Sequence, residues 1–461
     1  MKKSPKQACT IQYIPESSAV YSAFYHLIVV QFEKCVPTEP KLKLSRKLDM
    51  LSNSKSIDDL LLTPGYVESP YEVFDLLRTE APVYWSEKWN GWVLTRYDDV
   101  LNVLKDFKRL SNGGRYTEYL STLATDELAQ LTYLQNHYER GGLVQADPPS
   151  HNRLRKLIGN AFTPRMVNEM GRLVSQISDD LIDSFVGMPE VELIYNFAFA
   201  LPATVIAGML GVPIEQRDQF KDWSAAIQRF LGTGKVDFQS ALEAQEAWRN
   251  MNDFFTQLLL DRTSHPQEDL ISGFVQSYEE GERLTKEEII GTCGAMLVAG
   301  HETTTNLISN AIWLLLQDQE QLKQLKENPS LYPSAIEEFL RYESPFQCLP
   351  RTLREDVEID GIRMRKGQLV YAMLGAANRD PCQFDNPEQL DLHRENNKHL
   401  AFGYGVHFCL GAPLARLEAH IAIQTLLERL PQMQLDQNRP PDWKRSMVQR
   451  GMESFWLCIR S

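Results

Sequence analysis

The sequence predicts a single-domain, mainly α-helical protein with a small β part. Three observations carry that expectation. Apolar residues recur at helical spacing through about 150–186, 190–232, 240–263 and 286–317. The β-prone runs are short and confined to about 83–94 and 357–370. No internal repeat, low-complexity tract or flexible linker divides the 461 residues, a length that can bury a large core without staples.

Residues 1–49 are read as an N-terminal extension and 50–461 as the folded domain, because regular patterning begins soon after Met50, itself a credible start. Within the extension, Ala19 to Phe32 is apolar but broken by Ser22, His26 and Gln31, too short to span a bilayer, and followed by no cleavage site. It is read as a surface or docking helix. Regular structure is expected to open at Ser69-Pro70-Tyr71-Glu72, which has the form of a capping box, with Val73, Leu76 and Leu77 on one helix face. Val83-Tyr84-Trp85 and Trp92-Val93-Leu94 flank Asn90-Gly91 and predict a hairpin. Asp98 opens a short helix, and 109–145 reads as a long, partly irregular connection.

Thr285 with Glu288 forms a second capping-box signature, opening a helix of 32 residues. At 1.5 Å per residue that helix is roughly 48 Å long. It accepts Gly291, Gly294 and Gly300 in its interior, each at about 1 kcal/mol relative to Ala, so close approach to something is expected. A helix over about Pro333 to Tyr342 follows, then short strands between Val357 and Val370. Residues 376–408 lack periodicity and predict a coil fixed by side chains, and a last helix starts just after Cys409 and stops before Pro431.

The net charge of −13, with no basic run, disfavours nucleic acid and anionic lipid as partners. The seven cysteines are scattered, odd in number and without a CxxC pair, which points away from a disulfide framework and towards a reducing compartment, the cytoplasm.

The most specific motif is Phe402-Gly403-Tyr404-Gly405-Val406-His407-Phe408-Cys409-Leu410-Gly411. Gly403 and Gly405 permit a tight turn. Cys409 then sits at a helix N-terminus, where N–H groups and the dipole favour a thiolate. Gly411 would let that helix come close to the sulfur, and Phe402 can keep water from it. A lone cysteine in a glycine-rich turn would be structural, but the full spacing is not met by chance. The segment closely resembles the haem-binding loop of the cytochrome P-450 superfamily in its bacterial form. That resemblance covers roughly residues 60–461.

Further motifs fall in the family's order. Glu338 and Arg341 share a helix face. Alone they would be a solvated ion pair worth little. Within Ala335 to Pro345 they look like the family's ExxR helix, whose pair locks to an arginine ahead of the cysteine loop, here Arg394 or alternatively Arg379. Ala299-Gly300-His301-Glu302-Thr303-Thr304 lies midway along the long helix. Gly300 removes a side chain where a ligand could sit, and Thr303 can bond the carbonyl four residues back and open the helix locally beside Glu302. The segment resembles the oxygen-activation motif, which implies that Thr303 steadies dioxygen and Glu302 relays protons. His151 and Arg155 face the same way on a helix, which alone would be an ordinary exposed face; the segment resembles the family's propionate-binding helix, and the resemblance implies a clamp for haem propionates from His151, Arg155, Arg351 and His407.

The resemblance implies haem b (iron protoporphyrin IX), held between the long helix and the cysteine helix, with Cys409 as axial ligand. Phe402, Gly403, Gly411, Ala299 and Gly300 are expected around it. The implied activity is insertion of one oxygen atom of O2 into an apolar small organic substrate, by hydroxylation or epoxidation. Electrons would come from a separate ferredoxin and NAD(P)H-dependent reductase, since no such module is fused to the chain. By the same resemblance, Met296, Phe346, Leu349 and Met452 are expected in the substrate pocket. The expected protein is a monomer acting away from membranes. A peroxide-driven peroxygenase and a non-catalytic haem-thiolate sensor are the competing readings; the presence of both Glu302 and Thr303 disfavours each.

Overall fold

The computed structural model describes residues 56–140, 142–232, 236–279 and 282–459. The chain divides into two compact units, Met1–Asp59 and Leu60–Ser461. The expected extension 1–49, including Ala19 to Phe32, lies outside the described residues, as does Met50. Of the first unit, the turn Ile57–Asp59 is described.

In the second unit, helix α1 spans Pro64–Glu68 and is capped by the Thr63 hydroxyl, which accepts from Tyr66 N–H. Helix α2 spans Tyr71–Glu80. The box expected at Ser69 does not form. Ser69 instead ends α1, its N–H donating to the Gly65 carbonyl, and Pro70 at the head of α2 makes no side-chain cap.

Strands β1 (Val83–Ser86) and β2 (Gly91–Leu94) form the expected antiparallel hairpin, with Asn90 at φ 47° in its loop. Helix α3 spans Tyr97–Lys105. The 109–145 connection is more regular than expected. After β3 (Leu110–Ser111) come α4 (Arg115–Leu120), α5 (Thr125–Gln130) and α6 (Thr132–Arg140). Helices of one or two turns show too few repeats to reveal a period.

The pattern at 150–186 splits into α7 (Ser150–Ala161) and α8 (Pro164–Asp183), where Thr163 caps the second helix. The pattern at 190–232 splits further. Strand β4 (Glu190–Glu192) and a π-turn (Ile194–Ala198) precede α9 (Ala200–Met209) and α10 (Arg217–Gly232). The break before α10 follows from Gly211 at φ +67° and Pro213 two residues later.

Helix α11 spans Phe238–Ser264 and α12 spans Leu270–Gln276. Helix α13, Lys286–Gln317, runs its full 32 residues from the expected capping box. Helices α14 (Gln319–Glu327) and α15 (Tyr332–Tyr342) lead to β7 (Cys348–Leu353). Between α12 and α13 lie the short strands β5 (Tyr278–Glu279) and β6 (Glu282–Arg283). Strands β8 (Val357–Ile359), β9 (Ile362–Met364) and β10 (Leu369–Met373) complete the expected β segment.

A short α16 (Leu374–Ala377) precedes the coil, and α17 (Ala412–Arg429) follows the cysteine. The chain closes with β11 (Gln434–Leu435), β12 (Asp442–Trp443), β13 (Met452–Ser454) and β14 (Trp456–Cys458).

The main sheet has the order β1-β2-β10-β7-β3, with β10 parallel to β2 and the other pairs antiparallel. One apolar cluster joins the helices, centred on α13 and α17; a second joins α3 to the main sheet. The protein is therefore mainly α with a small β part. The five cysteines among the described residues are free.

Candidate active site

The cysteine loop is shaped by its glycines. Gly403 and Gly405 take φ of 70° and 74°, which a side chain would resist. The turn brings Cys409 N–H onto the Phe402 carbonyl at 3.0 Å. The N–H groups of Gly411 and Ala412 are directed at the Cys409 sulfur, as expected of a helix start. Burial pushes the thiol up and outweighs those N–H groups and the nearby Arg155 and Arg416.

Gly411 is not forced by crowding, since an added Cβ would lie 4.0 Å from the sulfur, an ordinary contact. Phe402 is half-buried beneath the Arg416 guanidinium, 4.5 Å from its ring centre.

Beside the loop is a cluster of two buried arginines and two histidines. His151 on α7 and His407 lie 4.2 Å apart by ring centres, and the Nε2 of each is buried without a partner. Arg351 on β7 is buried and donates to its neighbour's carbonyl, Pro350 O, at 2.9 Å. Burial and then the Arg115 charge push its pKa down to about 9. Burial, then His151 and Arg351, push His407 down to about 3.

Arg115, at the start of α4, was not singled out in the sequence. It is buried, bonds Asn112 and Tyr116, and leaves Nε unpartnered. The left-handed Gly114 just before it (φ +74°) was its faint signal. Asp147 answers part of this charge but is already held by Ser111, Asn112 N–H and Arg354. Buried donors left in this state call for an anionic group. Two carboxylates such as haem propionates fit them. Arg155 stands on α7 near Cys409, whose charge it feels.

On α13, Thr303 donates to the Ala299 carbonyl at 3.0 Å, the expected back-bond. Thr304 and Thr305 do the same at 3.2 and 2.9 Å. The helix nevertheless remains α-helical throughout, so the local opening expected at Thr303 is not present. The Cβ position of Gly300 faces a neighbouring helix. An added Cβ would meet Ile206 of α9 at 3.4 Å, so this glycine serves helix packing. Gly294 is tighter still, at 3.0 Å from Trp248 of α11, while Gly291 faces nothing within 4 Å.

Glu302 is ion-paired with Lys444, and its second oxygen lies 3.8 Å from His301 Nε2. Burial favours the neutral acid, yet the Lys444 ammonium and His301 prevail and hold Glu302 below the ordinary glutamate range. Glu418 on α17 is the opposite case. It is buried towards Thr304, no cation among the described residues pairs with it, and burial pushes its pKa up to about 8.

The Glu338–Arg341 pair is fully buried and bidentate, with Nε–Oε2 at 2.8 Å and Nη2–Oε1 at 2.7 Å. Arg341 also donates to the carbonyls of Asn378, Pro387 and Gln389. Arg394, rather than Arg379, reaches Glu338, at 3.0 Å. Arg379 turns to the Tyr342 carbonyl and stacks on Tyr71. The neighbouring Glu337, not singled out in the sequence, holds Arg416 of the cysteine helix at 2.6 and 2.8 Å and His399 at 3.0 Å.

Of the expected pocket residues, Leu349 lies against the loop, 3.4 Å from where a Gly403 Cβ would stand. Phe346 bridges to Gln449. Met296 packs on the helical cluster, and Met452 is fully buried within it.

Residues 117–454 match the family model described as Cytochrome P450. The biotin biosynthesis cytochrome P450 of Bacillus subtilis (strain 168) is 41% identical over 378 residues, 80% of this chain and 91% of that protein. Cytochrome P450 monooxygenase PikC of Streptomyces venezuelae is 38% identical over 403 residues, 86% of this chain and 92% of its own. The crystal structure of P450BioI in complex with an acyl carrier protein ligated to hexadec-9Z-enoic acid is similar at TM-score 0.78 and 37% identity. That similarity covers 86% of this chain and 99% of the other.

Proposed function

The chain belongs to the cytochrome P450 family, and from that premise we propose that it inserts one oxygen atom of O2 into an apolar small organic substrate, by hydroxylation or epoxidation. The enzyme is a haem-thiolate monooxygenase with haem b as its cofactor. Thiolate-bound haem iron supplies the oxygen-activating chemistry.

In this reading Cys409 would hold the haem iron through its sulfur. Its burial-raised pKa is no obstacle, because coordination deprotonates a thiol outright. The observation that carries the reading is the set of buried, under-bonded donors on Arg115, His151, Arg351 and His407, which fits two propionates. Phe402 and Arg416 shield the sulfur side. Glu338, Arg341 and Arg394 hold the coil from which the loop departs. Thr303, whose hydroxyl proton is given to Ala299, keeps its oxygen lone pairs for an incoming hydrogen bond. Glu302 is the acid that passes protons towards it. Ala299 and Gly300 contribute backbone to this wall.

Electrons come from a separate ferredoxin and its NAD(P)H-dependent reductase, and the protein works as a monomer in the cytoplasm. Among the described residues, no helix is long and apolar enough to cross a membrane. The relative seen with a hexadecenoyl carrier protein makes long acyl chains the first substrates to try. Leu349, Phe346, Met296 and Met452 are the pocket contacts to vary.

Cys409→Ser tests the core of the proposal. The carbon-monoxide difference band at the thiolate position should vanish, and an unchanged band would end the proposal. A spin-state screen of acyl, steroid, terpenoid and macrolide compounds on the wild-type protein would then define the substrate class.

A further inference from the structure

Lys444 belongs to no motif, yet it meets the acid of the oxygen-activation segment. It stands just after β12, and its backbone N–H donates to the Gly451 carbonyl at 3.0 Å, closing the turn towards β13. That turn is seated on α13. Gly451 lies so close to Asn306 that an added Cβ would fall 1.9 Å from Asn306 Oδ1. Trp443 packs edge-on against Trp313 of α13 at 5.0 Å between ring centres, and the Arg450 guanidinium covers its ring at 3.5 Å. The base of Lys444 is therefore fixed against the helix one turn beyond Glu302. From there its ammonium pairs with Glu302 Oε1 and comes within 3.5 Å of Asn306 Oδ1.

Both partners are largely removed from solvent, with side chains 13% and 15% exposed. An ion pair taken out of water gains little in net stability, because desolvation offsets its attraction. The pairing is better explained by where it holds the carboxylate.

The other groups facing Glu302 do not hold it in the same way. His301 of α13 donates Nδ1–H to the Leu297 carbonyl at 2.6 Å and turns an unpartnered Nε2 towards the acid. Lys221 of α10 lies over the rings of Tyr195 and Phe199 at 4.6 and 5.2 Å and acts on Glu302 without a direct bond. The residues of α9 that line this corner, Ala203 and Ala207, are apolar.

We infer that Lys444 is a positioning residue for Glu302, holding its carboxylate on the side of α13 covered by the C-terminal turn, so that the turn between β12 and β13 and the acid of proton delivery form one mechanical unit. The inference rests on Glu302 being the relay acid.

The test uses the haem-loaded full chain with Glu302→Gln, Lys444→Met, Lys444→Arg and the Glu302→Gln/Lys444→Met double variant. Two readouts are taken: the thermal midpoint, and the fraction of NADPH electrons reaching product, using the strongest spin-shifting compound of the screen above. Lys444→Met should lower the coupled fraction several-fold, and Lys444→Arg should recover most of it. The acid limb of the coupled fraction should move to higher pH in Lys444→Met, because Glu302 loses the charge that keeps it ionised. The double variant should be no less coupled than Glu302→Gln, and the two shifts in midpoint should not add.

If Glu302→Gln uncouples the enzyme while Lys444→Met keeps wild-type coupling and pH profile, the positioning role is wrong and the relay stands. Midpoint losses that simply add would likewise overturn it, since the pair would then not form in solution. If Glu302→Gln stays fully coupled, the relay reading falls and takes this inference with it.

Discussion

The coil before Cys409 and the helix segment around Glu302 are held in different ways. Ahead of the cysteine, Glu338 is met by Arg341, Arg394, Asn397 and the Asp391 N–H, and Arg341 in turn gathers three carbonyls of the coil. Glu337 ties the same helix to Arg416 and His399. At Glu302 one lysine from a distant turn makes the ion pair. A coil without secondary structure needs many side-chain bonds to take a single shape. A helix residue needs none for its backbone, so its side chain can be held by one contact and released. The first region is built to stay fixed, and the second can change partners.

The largest effect should follow from breaking the fixed region. Arg341→Ala leaves Glu338 as a buried charge short of its main partner, a loss of about 3–5 kcal/mol. Denaturant unfolding should show it, together with loss of bound haem. Arg341→Lys should recover little, because an ammonium cannot reproduce the planar fork. A stable, haem-replete Arg341→Ala protein would remove the contrast drawn above.

Next, Thr303→Ala should keep haem and fold but divert most electrons to peroxide. Preserved coupling would refute the hydroxyl's role.

A smaller effect is expected of Arg115→Leu, which leaves His151, Arg351 and His407 in place. Haem should transfer to apomyoglobin several-fold faster, with the thiolate band unchanged when loaded. An unaltered transfer rate would exclude Arg115 from the propionate group.

The smallest is a pH effect at Glu337. Burial works against its charge, but Arg416 and His399 prevail and bring its pKa to about 2, well below the ordinary glutamate value. A depressed acid contributes stability that is present above its unfolded pKa and lost as pH falls towards the folded one. Wild type should therefore lose stability between about pH 4.5 and 2 by more than Glu337→Gln does. Equal acid slopes would show that the Glu337 bridge adds nothing.

Much of this was legible in the sequence where a signal is local. The 32-residue helix, its capping box, the β1–β2 hairpin and the turn glycines before Cys409 each depend on residues a few positions apart. Local signals also misled. Ser69-Pro70-Tyr71-Glu72 has the form of a capping box, but Ser69 is spent on the end of the preceding helix. Thr303 makes its back-bond without opening α13. Gly300 looked like room for a ligand, and an added Cβ there would touch Ile206.

Arg115, Glu418 and Lys444 sit in stretches with no motif, and Glu337 stands beside one without belonging to its pair; what each does depends on where the chain brings its partners. The sequence by itself determined the helical period and the turn of the cysteine loop, because those depend on short-range backbone geometry and residue chemistry. Only the tertiary structure decided that Arg115 joins the group beside the loop, that Arg394 takes the third place at Glu338, and that a lysine 142 positions beyond Glu302 pairs with it. Burial sets the worth of a charge, and burial is created when distant segments pack together.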